Sequence, residues 1–153
     1  MKGTLFFHAP CFDGLVSAAL MWDFLETARG WNQMTVRGVN YNIKSKWLSI
    51  KPTAKFAVVD FLYHPRATVW VDHHGTTFLN SNSLRSWKRR HSNDLIYDPS
   101  APSCSLLIWQ HLRQAFDYRN RRFAPMVKWA TRITPCDEAR DCRWDMDNNK
   151  GSL

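Results

Sequence analysis

The chain has 153 residues, of which 44% are hydrophobic and 22% charged, and its formal net charge is +8. This length fits one domain with a sizeable core, and the composition is ordinary for a globular protein. No run approaches the roughly 20 apolar residues of a membrane span, and no signal segment is recognisable. We therefore expect no membrane partner and a cytoplasmic location. Four cysteines without paired spacing predict reduced thiols rather than a disulfide framework: Cys11, Cys104, Cys136 and Cys142.

The first half of the chain alternates apolar segments with polar residues at their ends. The pattern predicts four strands: residues 3–8, 33–41, 55–61 and 67–72. Between the first two, Asp13 is predicted to cap a helix that runs to about Ala28. The apolar residues at helical spacing in that helix are Leu15, Ala18, Ala19, Trp22 and Leu25.

The second half adds one strand and two helices before a polar end. Residues 94–98 predict the strand, and residues 103–116 and 124–134 predict the helices, with Pro135 ending the second. Strands that alternate with helices favour parallel pairing with helices on the sheet faces. The predicted fold is a Rossmann-like, three-layer α/β domain with a mostly parallel sheet. It spans residues 1–142, and a polar tail follows at residues 143–153.

Carboxylates and imidazoles follow three of the predicted strands. His8 ends the first strand, Asp60 ends the third, and Asp72, His73 and His74 end the fourth. Because the carboxyl ends of parallel strands meet at one edge of a sheet, these side chains should lie close together. Taken singly, each has a structural alternative, such as a helix cap or a turn. Together they favour Mn, Fe, Co or Zn over calcium, and shared carboxylates favour a pair of ions.

These motifs resemble those of the DHH family of phosphoesterases, which is named for the triplet seen here at residues 72–74. The family's first motif is D-x-D followed by glycine, with a histidine upstream, and "HAPCFDG" at residues 8–14 is similar to it. "AVVDF" resembles the second motif, "SAPSCSLLIWQHL" the helix after the third, and "ITPCDEA" the fourth. Asp137 is the candidate in the last motif, and three nearby aspartates are alternatives: Asp141, Asp145 and Asp147.

The resemblance implies a site with two divalent ions, Mn²⁺ first and Zn²⁺ or Fe²⁺ as alternatives. Asp60 would bridge the two ions. Asp13, His73 and Asp137 would complete the coordination of one ion. His8 would bind the other ion, with Cys11 as a further candidate ligand. The residues it implies for catalysis are Asp72, His73 and His74. His74 would face the substrate phosphate as a donor, and Asp72 would fix the tautomers of the imidazoles.

Two departures from the family pattern leave alternatives open. Cys11 stands where the first aspartate of D-x-D usually stands. Its thiolate could shift metal preference toward zinc or iron, or a neutral thiol could leave that subsite weak. We also expect no counterpart in this chain of the second, substrate-binding domain that the family usually carries. It is expected to be a catalytic lobe, a fragment, or part of a homo-oligomer that closes the cleft.

Two basic segments, "RSWKRRH" at residues 85–91 and "YRNRRF" at residues 118–123, favour a polyanionic partner, although a solvated face is the simpler alternative. Arg89 and Arg90 are predicted phosphate contacts. The predicted function is hydrolysis of a phosphomonoester or phosphodiester, such as a short oligonucleotide, a nucleotide or a cyclic dinucleotide. One alternative is a weak or inactive lobe that binds nucleotides or single-stranded nucleic acid. Another is a purely structural domain.

Overall fold

The computed structural model of the chain describes residues 1–52, 54–90 and 92–134. These ranges contain five strands and four α-helices in the order β1 (Lys2–His8), α1 (Phe12–Arg29), β2 (Gln33–Val39), β3 (Lys55–Val59), β4 (Val69–Asp72), α2 (Ser81–Arg89), β5 (Leu95–Tyr97), α3 (Cys104–Phe116) and α4 (Ala124–Ile133). Short 3₁₀ turns are Tyr41–Ile43, Trp47–Ser49 and Arg121–Phe123. Pro135 and the predicted tail lie outside the described residues.

The five strands form one parallel sheet in the order β2-β1-β3-β4-β5. This confirms the predicted Rossmann-like α/β fold with helices flanking the sheet. The chain leaves β1 toward one side to make β2 and then crosses back to make β3 on the other side of β1. The carboxyl ends of β1 and β3 therefore flank the position where ligands bind in open α/β sheets.

Alternate residues of each central strand enter different cores, as the two-residue period of a strand requires. In β4, Val69 and Val71 face the layer formed by α1, α3 and α4, while Trp70 faces the opposite layer. In β1, Leu5 and Phe6 divide in the same way. Because both faces are covered, these strands are almost continuously apolar in sequence.

The face opposite α1 is covered by what we call the aromatic layer: Phe6, Trp47, Phe56, Phe61, Tyr63 and Trp70, with Phe78, Trp87 and Tyr97 packed against them. Its rings meet mainly edge to face. Trp47 and Phe61 have centroids 5.0 Å apart, and so do Tyr63 and Trp70. This geometry is the favoured one for aromatic pairs and adds to the gain from burying their area.

Helix α1 differs from its prediction at its start and on its surface. Its N-cap is Cys11, whose side chain makes no capping hydrogen bond, so the prediction that Asp13 caps this helix is wrong. The carboxylate of Asp13 points to α3 instead. Leu15 is 54% exposed, and the buried face runs through Val16, Leu20 and other residues of that stripe.

Helix α2 was not predicted, and it contains most of the basic segment 85–91. Asn80 caps it by accepting a hydrogen bond from the Ser83 N–H at 2.8 Å, a signal that the sequence does contain. Within the described ranges, no helix combines the length and the apolar character needed to cross a membrane.

Candidate metal centre

The carboxyl edge of the sheet gathers all but one of the predicted metal-binding and catalytic residues. We call this group the carboxyl-edge cluster: His8, Cys11, Asp13, Asp60, Asp72, His73 and His74. Three strands and the first turn of α1 supply them, because His8 ends β1, Asp60 follows β3, and Asp72 ends β4. The remaining predicted ligand, Asp137, lies outside the described residues.

Asp60 lies at the centre of the cluster and is 1% exposed. Its Oδ2 is 3.8 Å from His8 Nδ1, and its Oδ1 is 3.6 Å from His73 Nε2. Neither carboxylate oxygen has a hydrogen-bond partner among the described residues. Burial disfavours the charged form of this carboxyl, but His73 and His8 outweigh it and hold its pKa below the usual range. A buried carboxylate with two unpaired oxygens is costly unless a cation satisfies it.

The backbone at Asp60 directs its side chain into the cluster. Its φ is 56°, in the left-handed region that aspartate tolerates better than most residues. Its N–H still donates to the Val71 carbonyl at 2.9 Å, so the residue stays attached to β4 while the chain turns out of the sheet. Backbone of this kind is concentrated at functional sites.

His73 presents one ring nitrogen toward the acids of the cluster. Its Nδ1 lies 2.9 Å from the Ala101 carbonyl, which can only accept, so Nδ1 carries a proton. Its Nε2 is buried without a hydrogen-bond partner among the described residues, 3.8 Å from Asp13 Oδ2. An outer hydrogen bond that fixes the tautomer is typical of metal-binding histidines.

His74 is oriented by Asp72. Asp72 Oδ1 accepts a hydrogen bond from His74 Nδ1 at 2.7 Å and another from the His73 backbone N–H at 2.8 Å. Burial disfavours the charged imidazole of His74, but Asp72 outweighs it and raises the pKa of His74 to about 9. Asp72 thus lies behind His74, whereas the ring of His73 is held by Ala101 instead.

Asp13 connects the cluster to the N-terminus of α3. Its carboxylate accepts from the backbone N–H groups of Cys104 at 2.7 Å and Ser105 at 3.0 Å, and from the Ser105 hydroxyl. Burial and the charge of Asp60 raise the pKa of Asp13 to about 6, although the bonds from Ser105 and Cys104 oppose this. Sequence reasoning missed the role of Ser105, which the turn and helix start at residues 100–105 could have indicated.

Among the described residues, three sets of possible ligand atoms share Asp60. Two consist of cluster residues alone, and the third joins Asp60 to Asp72 and Cys104. The ligand atoms of His8, Cys11 and Asp60 lie within 4.8 Å of one another, and so do those of Asp60, His73 and His74. Nitrogen, oxygen and sulfur donors of this kind suit divalent transition metals. The residues present therefore fit the pair of divalent ions implied by the sequence.

The two cysteines of this region differ in their surroundings. Cys104 is fully buried, and its Sγ donates to the Val71 carbonyl at 3.4 Å, which is a structural role. Cys11 is only partly buried. Burial and the charge of Asp60 raise the pKa of the Cys11 thiol to about 11, so it is protonated in the metal-free protein at neutral pH.

Gly14 allows the first turn of α1 to approach the end of β1. A Cβ at this position would lie 2.1 Å from the His8 carbonyl oxygen and 3.1 Å from Asp60 Oδ2. Real Cβ contacts are not that short, so any side chain here would push α1 away from β1. The glycine that follows the acid in the first motif thus has a physical reason in this chain.

Tyr41 is a further residue of the site that sequence reasoning missed. Its ring centroid is 5.0 Å from that of His8 and 5.2 Å from that of Phe61. Burial and the charges of Asp72 and Asp60 raise its pKa above the usual range, so the hydroxyl keeps its proton. It forms part of the wall beside His8.

Arg90 is held away from the cluster, while the predicted phosphate contact at Arg89 stays a prediction. Both are at the carboxyl end of α2, and the Arg90 guanidinium donates to the carbonyl of Ala67 at 2.7 Å and to that of Pro65. These carbonyls precede β4, at the edge of the sheet opposite His74. Arg90 therefore holds the connection between β3 and β4.

No family model matches the chain, and neither a curated protein nor a solved structure shows significant similarity to it.

Proposed function

We propose that this protein is a metal-dependent phosphoesterase of the DHH type, which hydrolyses a phosphomonoester or phosphodiester. The observation that supports this proposal most directly is Asp60, whose two unpaired oxygens lie between one ligand set at His8 and another at His73. A shared carboxylate between two sets of donors is what a two-ion site requires. Two such ions activate water and stabilise both the attacking and the leaving oxygen of a displacement at phosphorus.

The side chains of the cluster divide the remaining tasks. Asp13 and His73, with Asp137 as a further ligand from the segment after α4, would hold one ion. His8 would hold the other with Asp60. His74, which is cationic at neutral pH because of Asp72, would donate to a phosphate oxygen of the substrate. Asp72 keeps that imidazole oriented through its 2.7 Å hydrogen bond.

The proposed ions are Mn²⁺, with Zn²⁺ or Fe²⁺ as alternatives, and the proposed substrates are short oligonucleotides, nucleotides or cyclic dinucleotides. A homo-oligomer that closes the cleft belongs to the same proposal. Arg90 is not part of it, since its guanidinium binds the Ala67 carbonyl before β4, at the opposite edge of the sheet from the cluster. Arg89 stays a proposed phosphate contact.

The test is hydrolysis of bis-(p-nitrophenyl) phosphate and p-nitrophenyl phosphate with added Mn²⁺, beside elemental analysis of the protein. Asp60→Asn should abolish both turnover and metal binding, because amide oxygens cannot bridge two cations as a carboxylate does. The matched control is Asp117→Asn, since Asp117 also has a positive φ, 49°, but is exposed at the end of α3. Equal turnover by Asp60→Asn and the unchanged protein would overturn the proposal.

A second candidate function is binding of single-stranded nucleic acid or nucleotides without turnover. The chain has 21 Lys and Arg against 13 Asp and Glu, and three of these acids are buried in the cluster. The outer surface is therefore more basic than the net charge alone suggests, which favours polyanions. Salt-sensitive binding of an oligonucleotide, unchanged in Asp60→Asn and without hydrolysis by either protein, would support this candidate over the first.

A further inference from the structure

The two ligand sets of the carboxyl-edge cluster differ in one kind of atom. Around His73 the available donors are nitrogen and oxygen, whereas around His8 they include the sulfur of Cys11. We propose that the cluster is a mixed-metal centre. In it, the His8–Cys11–Asp60 set binds a thiophilic ion such as Zn²⁺ through the Cys11 thiolate, and the His73 set binds a harder ion such as Mn²⁺. This inference rests on the proposed function, because it assigns an ion to each half of that site.

Geometry at the His8 set supports a complete subsite. His8 is 6% exposed, its Nδ1 has no hydrogen-bond partner in the described part of the chain, and this atom is 3.8 Å from Asp60 Oδ2. Two ligands about 2.1 Å from a tetrahedral Zn²⁺ lie about 3.4 Å apart. Side-chain movements of a few tenths of an ångström would therefore bring both atoms to bonding distance of one ion.

The position of Cys11 leaves its sulfur available for this ion. Cys11 is the N-cap of α1, a position whose side chain usually accepts a hydrogen bond from the helix, but it makes no such bond. Its Sγ lies within 4.8 Å of the ligand atoms of both His8 and Asp60.

The sulfur of Cys11 determines which ions the His8 set should prefer. Thiolate ligands favour Zn²⁺ and Fe²⁺, whereas carboxylate and water favour Mn²⁺. Binding replaces the S–H bond of Cys11 by a sulfur–metal bond, and the thiol proton passes to solvent. The His73 set offers the nitrogens of His73 and His74 and the oxygens of Asp60, and Asp13 Oδ2 lies 3.8 Å from His73 Nε2. It contains no sulfur, so it has no comparable preference for a thiophilic ion.

The first experiment uses Co²⁺ as a spectroscopic probe of the full chain after removal of metals by a chelator. Binding through Cys11 gives a near-ultraviolet thiolate-to-Co²⁺ charge-transfer band. The band should be lost in Cys11→Ser and kept in Cys104→Ser, a matched exchange at the other thiol of this region. Loss of a residue that only hydrogen-bonds to a metal ligand lowers metal affinity roughly 10- to 100-fold. Because Cys11 would be a ligand itself, the Zn²⁺ affinity of Cys11→Ser should fall by more than this.

The second experiment loads the metal-free chain with one equivalent of Zn²⁺ and then dialyses it against a large excess of Mn²⁺, because N/O sites also bind Zn²⁺ more tightly than Mn²⁺ at equal concentrations. Elemental analysis follows. One Zn²⁺ and one Mn²⁺ per chain are expected, and two Mn²⁺ per chain in Cys11→Asp. Metal that binds without a charge-transfer band, or two equivalents of one ion in the unchanged protein, would overturn the mixed-metal centre alone. A chain that binds no divalent ion would overturn the proposed function as well.

Discussion

The aromatic layer and the carboxyl-edge cluster both bury polar atoms, but they differ in whether these atoms have hydrogen-bond partners. In the aromatic layer, the Trp47 indole N–H donates to the carbonyls of Leu62 and Tyr63 at 3.1 and 3.2 Å. Trp70 donates to the Phe61 carbonyl at 2.9 Å. In the cluster, five side-chain atoms remain unpaired within the described residues: both Asp60 oxygens, Asp72 Oδ2, His8 Nδ1 and His73 Nε2.

Unpaired buried atoms also occur singly elsewhere, so their number alone is not informative. Ser17 Oγ, His64 Nε2 and Thr77 Oγ1 are such atoms in the described chain. The unpaired atoms of the cluster differ because those of His8 and His73 lie 3.6 to 3.8 Å from the oxygens of Asp60. A metal-binding site is indicated because these unpaired nitrogen and oxygen atoms converge on one point. Their number alone would not indicate it. We therefore expect the aromatic layer to contribute the same stability with or without bound metal. The contribution of the cluster to stability should depend on bound metal.

The largest effect is expected in the aromatic layer. Trp47→Ala removes a fully buried indole and its hydrogen bonds, and should lower the free energy of unfolding by about 3–5 kcal/mol. Denaturant unfolding with and without Mn²⁺ should give the same loss, while the control Leu48→Ala, at a residue 38% exposed, should change little. A loss seen only with Mn²⁺ would contradict the separation of the two regions.

The next effect is pH dependence in the cluster. The pKa of His74 is about 9 in the folded chain against an ordinary 6.5, so its charge contributes stability that is full below pH 6.5. That contribution, about 3 kcal/mol, is lost as the pH rises through 9. Metal-free unfolding at pH 6 and pH 9.5 should show this loss in the unchanged protein and a much smaller one in Asp72→Asn. Equal pH dependence in both proteins would show that Asp72 does not stabilise the charged imidazole.

A smaller effect is expected from Gly14→Ala. The added Cβ would collide with the His8 carbonyl oxygen, so α1 must move from β1 at a cost of about 1–3 kcal/mol. Because His8 and Asp60 would separate, metal affinity measured by calorimetry should fall too. Leu15→Ala, one residue further along and exposed, should leave metal affinity unchanged. Unaltered metal affinity in Gly14→Ala would mean that this close approach does not position His8.

The smallest effect is expected from Trp87→Phe. This change keeps a ring but removes the N–H that donates to the Leu95 carbonyl at 3.1 Å, and should cost about 1 kcal/mol. Thermal unfolding should show the loss, and the stabilisation by Mn²⁺ should be the same as in the unchanged protein. A change in that stabilisation would link the aromatic layer to the cluster.

The sequence was sufficient to predict the strands and the residues at their ends, because strand patterns are local. Asp60 and Asp72 each follow a short apolar run, and the rule for parallel sheets then brings them to one edge. The α/β fold follows from the same alternation. The bounds agree closely, as with α3, predicted at residues 103–116 and observed at Cys104–Phe116.

The sequence was insufficient where a side chain acts over a long distance. Asp13 was predicted to cap its own helix, but its partners Cys104 and Ser105 are 91 and 92 positions away. Arg90 was predicted to contact substrate, but it binds the carbonyl of Ala67, 23 positions before it. Both predictions used local chemistry correctly and lacked the tertiary contact that overrides it.

The bond between Asp13 and the start of α3 has a consequence for folding. It closes a loop between positions 91 apart, and this loop contains β2, β3, β4 and β5. The entropy lost on closing the loop must be offset by contacts formed inside it. Contacts of such high sequence separation form slowly. We therefore expect Asp13 to reach its buried position only after the parallel sheet has assembled, so that the cluster forms late in folding. Exchange of the Cys104 and Ser105 amide hydrogens would report that final step.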